Sequence, residues 1–428
     1  METRTFLQAK ILALAARADR LSRVDYSSVG IRPQDLPFAP SVAHFRAANQ
    51  RLAKIGRQIR RRLRHVERTW QTHPLNQVLI DIALVEREID RARRAFGLFF
   101  EVLGQRGTSF APALAAHDAI ALDCYTAIRE AAPNLFRGPL LKPVSYMEHG
   151  ASPATVRRGV LLNRLLGEPN PFPIIRIPWD RDNPWQPVFL HEVSHNLQAD
   201  LGIWQENRQA VVRRALSFTG DPGLTRIYAR WHKEIFADMA AILLGGPAAA
   251  WGMAMFLAHP SSRIFAYRPG GAHPTAYLRV LILAELLQRL GFGAESDRLR
   301  RVWLGLYNPQ LGHRLPPQLL LSSGQLIPQI VDEIVFQTRR NLGQRALVDI
   351  LPFTRDDQRA IQAGARQLTR GIIPTDLPPR HLVSASSYAL VSGQIPAHHL
   401  ANQVNHHLAS LNPPAAPTLA AAQAAIVA

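Results

Sequence analysis

The chain has 428 residues, 47% of them apolar, and its 50 basic and 32 acidic side chains leave a formal charge of +18. That apolar content excludes a disordered polymer and allows a large core, in two or three domains or in one domain with appendages. A single cysteine, Cys124, excludes an internal disulfide and a cysteine-built metal site, which fits a reducing, cytoplasmic setting.

Residues 1 to 25 carry several arginines and an acidic side chain, without a long apolar run or a small-residue cleavage pattern, so they read as a helix rather than a secretory signal. The segment 26 to 43, with Pro33, Pro37 and Pro40, is a connection. From 45 to 70 the chain is basic, with Leu52, Ile55, Ile59 and Leu63 at helical spacing, which predicts an amphipathic helix. A second stripe, Val78, Ile82, Val85, Ile89 and Phe96, marks a helix over 75 to 103, and His73 with Pro74 turns the two into an antiparallel hairpin. The cluster Arg51, Lys54, Arg57, Arg60, Arg61, Arg62, Arg64 and Arg68 is either a solvated face or a polyanion contact centred on residues 57 to 68. No aromatic residues interleave with it, so a stacking platform for single strands is not indicated.

A further helix is expected over 108 to 129, then a loop-rich stretch from 133 to 153. Ile174, Ile175, Arg176 and Ile177 form a short β-type run between prolines, which suits an edge strand whose free backbone groups would hold an extended peptide substrate. The apolar stretch 239 to 258 approaches the length of a membrane span, but Gly245, Gly246 and Pro247 interrupt it, so it reads as buried core and no span is expected. A helix over 274 to 290 follows, then several helices separated at Pro316, Pro328 and Pro374, and from about Asn412 an alanine- and proline-rich end expected to be disordered. The expected architecture is mainly α (α+β). It has an N-terminal helical region (1–105), a catalytic core with a small β element (106–300), C-terminal helices (301–411) and a tail (412–428).

The chemistry is written at His191 to Asp200, HEVSHNLQAD. Two histidines four apart on a helix share a face, so His191 and His195 can both address one zinc ion, and Glu192 faces the ion's open side as general base toward an activated water. Two ligands do not complete such a site. In the run from Trp231 to Pro247, Glu234 and Asp238 lie four apart among apolar neighbours, where carboxylates are costly to bury without a cation. Glu234 is assigned as third ligand and Asp238 as the group that orients a histidine. His232 points to another helical face, as a surface or supporting residue. Asp200, about 140° round the helix from His195, is placed in an outer supporting layer. His398, His399, His406 and His407 read as solvated. His273-Pro274 with Arg279 is by itself a turn with a surface arginine; beside the metal motif it offers donors to the oxyanion of an attacked carbonyl.

The set HExxHxxxxD at His191, Glu192, His195 and Asp200, ExxAD at Glu234, Ala237 and Asp238, and HPxxxxR at His273, Pro274 and Arg279 resembles the gluzincin peptidases of the CAAX prenyl protease and HtpX type. The resemblance covers residues 185 to 285. It implies a zincin-like fold, one zinc ion held by His191, His195 and Glu234, Glu192 as base, and His273 with Arg279 near the substrate carbonyl. Those relatives carry membrane spans that are not expected here, so their substrates do not transfer. The expected activity is that of a zinc-dependent endopeptidase acting on peptides or proteins. The alternative is a basic nucleic-acid-associated or scaffold protein whose zinc site is structural or vestigial.

Overall fold

Two long helices, α2 and α3, follow the apolar stripes read from the sequence. After α1 (Thr3–Arg20), α2 (Val42–Thr69) buries Leu52, Ile55, Ile59 and Leu63, and α3 (Leu75–Gly104) buries Val78, Ile82, Val85 and Ile89. Arg62 meets Glu88 at 3.9 Å and His73 meets Asp81 at 3.9 Å, so partners close in on the His73-Pro74 turn as an antiparallel hairpin requires. The computed structural model describes residues 2–136, 141–150, 154–162, 167, 169–180, 183, 186–308, 310, 315–412 and 418–427.

The chain then enters α4 (Ala111–Ala131) and a three-stranded sheet of β1 (Val144–Met147), β2 (Ala154–Val156) and β3 (Ile174–Ile177), in the order β1-β3-β2. β1 runs parallel to β3, and β2 antiparallel to it. Strand alternation explains the burial. Val144, Tyr146 and Ile174 face the core of the N-terminal helices, whereas Met147, Ile175 and Ile177 face the larger core. The sheet is thus the seam between two hydrophobic cores. A buried pair, Arg106 to Asp118 at 2.6 Å, bonds Ser145 in β1 through both partners.

This arrangement corrects the reading of residues 174 to 177. They form the central strand, not an edge, and Ile174, Ile175 and Ile177 are covered on both faces; the prolines that flank the run end the strand without exposing it. No free ladder remains there for a substrate. A proline at Ile175 removes a donor from the interior of the sheet, so Ile175→Pro is expected to cost about 1–3 kcal/mol of stability, read as a lowered urea midpoint, rather than to raise KM.

The larger core gathers α5 (Val188–Asp200), α6 (Trp204–Thr219), α7 (Pro222–Gly245), α8 (Pro247–Leu257), α9 (Ser261–Ile264), α10 (Ala276–Arg289) and α11 (Gly293–Leu306). α12 (Pro317–Val331), α13 (Leu347–Ile350), α14 (Arg355–Leu368), α15 (Pro379–Val391) and α16 (Ala397–Ser410) belong to the same cluster, so the boundary expected near residue 300 does not coincide with a break in the core. The long apolar stretch divides at Gly246, whose φ of +67° and close approach to the Phe353 ring admit no side chain. The stretch is buried from Met239 to Ala254 except at half-buried Trp251, and Met255 and Ala258 at its end are exposed. Among the described residues, one helical run, Pro317–Phe336, has the length and apolarity of a membrane span; 44% of its 18-residue apolar window is buried.

The tail also departs from expectation. α17 (Leu419–Val427) packs on α2 through Ala422 and Ile426, and Arg46 donates to the Ala425 carbonyl at 2.7 Å. Alanine-rich composition supplies helix propensity, and the apolar face of α2 supplies the burial an isolated nine-residue helix lacks. Residues 413–417, part of the segment expected to be disordered, lie outside the described residues.

Candidate metal centre

α5 carries the HExxH residues one turn apart. His191 and His195 stand with ring centroids 4.6 Å apart and planes at 82°. α7 packs across α5 and starts at a well-defined point: the Asp221 side chain accepts from the Gly223 and Leu224 amides, and Pro222 opens the helix. That start sets which residues of α7 face the histidines.

Glu234 is one of them. Its Oε2 lies 3.4 Å from His191 Nε2 and 3.4 Å from His195 Nε2. Ligand atoms at about 2.0–2.1 Å from a common tetrahedral centre stand roughly 3.3–3.4 Å apart, so the donor set fits one ion. The three residues could hold a metal ion, and they form the one such group of histidine and acidic side chains among the described residues. Glu234 is only 5% exposed. Burial opposes its ionisation, but hydrogen bonds with His191 and His195 outweigh it and hold the carboxyl far below the usual range.

Asp238, one turn further along α7, reaches the other nitrogen of the same imidazole, with Oδ1 2.8 Å from His191 Nδ1. His191 is thus bracketed by two carboxylates spaced i, i+4. Burial disfavours its charged form, yet Asp238 prevails and raises its pKa to about 9 in the metal-free protein. Arg279, near the start of α10, donates to Asp238 through Nε at 2.5 Å and Nη2 at 2.7 Å, and the pair is almost wholly buried. Arg279 thus commits two of its donors to Asp238 while it also lines the cavity that opens over the donor set. Its Nη2 also lies 3.2 Å from His191 Nδ1 and 3.3 Å from His191 Nε2, so the guanidinium stands against both the aspartate and the imidazole. His273 is exposed at the mouth, with Nε2 3.3 Å from Glu234 Oε2.

Two other readings change. Asp200 accepts from the Tyr125 hydroxyl at 2.7 Å and pairs with Arg158 at 2.9 Å, so it ties the end of α5 to α4 and to the segment after β2 instead of supporting a metal ligand. His232 is buried, bonding the Ala229 carbonyl and meeting Trp204 edge to face, because its side of α7 is covered by α6. His398, His399 and His406 are exposed, as expected. On α2, Arg57, Arg61, Arg64 and Arg68 form an exposed stripe, while Arg60 and Arg62 approach Asp19 and Glu88.

Over the donor set opens a cavity of about 360 Å³, whose lining includes Glu192, His273, Val188, Met253 and Phe256 together with Ala154 and Thr155 of β2. The Thr155 hydroxyl donates to the Glu192 carbonyl at 3.0 Å, fixing β2 against α5. Two cavity residues, Arg157 and Lys233, were not singled out from the sequence. Lys233 adjoins Glu234 and could have been found by that adjacency; nothing local marks Arg157.

Comparison of the chain with protein-family models, with curated proteins and with solved structures returns no match.

Proposed function

We propose that the protein is a zinc-dependent endopeptidase. The observation that carries this reading is the convergence of His191 Nε2, His195 Nε2 and Glu234 Oε2 beneath a cavity that also contains the Glu192 carboxylate. The resemblance to gluzincins implies the same three residues as ligands and Glu192 as base. A zinc ion held there would polarise the scissile carbonyl and lower the pKa of water. Glu192 takes a proton from the attacking water and passes it to the departing amine, so that one peptide and one water become a carboxylate and an amine. His273 donates to the oxygen on which negative charge develops. β2, the edge of the sheet on the cavity side, takes over the role first given to Ile174, Ile175, Arg176 and Ile177: an extended peptide would lie along Ala154–Val156. The solvated arginine stripe of α2 is the basis of the alternative, a nucleic-acid-associated or scaffold protein.

The test is metal loading followed by hydrolysis. His191 must give up its second proton to act as a ligand. Since its metal-free pKa is raised to about 9, binding at pH 7 is expected to release about one proton from this residue and to tighten roughly tenfold per pH unit up to pH 9. Calorimetry in buffers of different ionisation enthalpy reads the release. Stoichiometric zinc, hydrolysis of an unfolded protein, and loss of both in His191→Ala support the proposal; zinc retained by that variant, or a loaded parent with no hydrolysis, overturns it.

A further inference from the structure

Arg157 and Lys233 share one aromatic support. The Arg157 guanidinium stands 4.3 Å from the centroid of the Trp204 ring, and Lys233 Nζ stands 5.5 Å from it. Both side chains line the cavity above the donor set, and among the described residues neither makes an ion pair. Two cations against one ring with no carboxylate in ion-pair contact are an unbalanced arrangement, and the acidic group whose charge acts on Arg157 is Glu234, a member of the donor set. The charges elsewhere in the cavity do not correct it. A divalent ion would be matched by Glu192 and Glu234, and Arg279 is matched by Asp238, so Arg157 and Lys233 remain as surplus positive charge. Arg157 immediately follows β2, so a peptide running along that strand meets it at the strand's end. Stacking on Trp204 spreads the guanidinium over the indole and leaves its edge free to donate.

We propose that Arg157 and Lys233 form an anion subsite beside the metal centre that takes a carboxylate of the substrate close to the scissile bond. The inference rests on the peptidase reading and narrows it. The carboxylate comes either from the peptide's free C-terminus or from an aspartate or glutamate side chain, and the apolar wall of Val188, Met253 and Phe256 receives a neighbouring hydrophobic residue.

Matched peptides decide between the sources: one ending in a free carboxylate, the same peptide amidated, and the amidated peptide with glutamate replacing glutamine beside the cleaved bond. One of the two acidic forms is expected to exceed the neutral one by about 10- to 100-fold in kcat/KM, with the ratio falling toward one in Arg157→Gln and partly restored in Arg157→Lys. An advantage of the free C-terminus identifies the terminal carboxylate; an advantage of the glutamate peptide identifies the side chain. A second readout needs no turnover. N-acetylglutamate, titrated calorimetrically into the zinc-loaded protein, is expected to bind at least about tenfold more tightly than N-acetylglutamine amide and to lose that margin in Arg157→Gln. Binding without hydrolysis would sink the peptidase reading and leave the subsite; hydrolysis with no preference for acid, and equal binding of acid and amide, would sink the subsite alone.

Discussion

The Glu192→Gln protein is expected to bind zinc as the parent does and to hydrolyse peptides about 10²- to 10⁴-fold more slowly, the usual contribution of a positioned proton acceptor. The expectation follows from geometry. Glu192 is nearly buried, its side chain lines the cavity, and it is not a member of the group that could hold the ion. Glutamine keeps the volume and the hydrogen-bonding reach and removes only the ability to take a proton. The loss should therefore fall on kcat, with KM and metal content unchanged. Parental turnover in this variant would remove Glu192 from the chemistry, and loss of metal would mean that the glutamate is a ligand.

Asp238→Ala is expected to have the largest structural effect. The substitution leaves Arg279, 5% exposed, without the carboxylate that holds it, and an uncompensated buried charge costs about 3–5 kcal/mol. It also takes the acceptor from His191 Nδ1, so metal affinity should fall about 10- to 100-fold. The two effects separate in a second variant. Replacing Asp238 and Arg279 together with leucine removes both buried charges and should recover most of the stability in urea, while the metal affinity, read by competition with a chelating dye, stays low. If the double variant bound zinc like the parent, the aspartate would have no part in orienting the ligand.

The order Arg279–Asp238–His191 was only half legible in the sequence. The spacing of Glu234 and Asp238 on an apolar helix implied that both needed a cation, and both find basic partners in the site: Glu234 the imidazoles of His191, His195 and His273, Asp238 the Arg279 guanidinium as well as His191. The direction of Arg279 was not implied. An arginine near a helix start can turn to a substrate or to a buried acid, and the choice depends on how α10 crosses α7. Position 200 shows the same limit: its angle on α5 was readable, but its partners, Tyr125 and Arg158, come from 75 and 42 residues away.

Helices were legible where periodicity is strong and local. The apolar stripes of α2 and α3, the turn at His73-Pro74, and the four-residue spacing of the histidines on α5 all follow from about 3.6 residues per turn, a property of the nearby chain alone. The sheet was not legible in this way. Residues 174 to 177 looked like an edge because of their prolines, and only the arrival of β1 and β2 from opposite sides made them central, since ladder hydrogen bonds join residues distant in sequence. The seating of α17 on α2 and the approach of Arg157 and Lys233 to the Trp204 ring are likewise long-range contacts. The residue types able to hold an ion, and their spacing on each helix, were set by the sequence itself; their convergence on one point, and the cationic wall beside them, were decided by the packing of α5, α7, α10 and the sheet, because the spacing along one helix says nothing of how it meets another.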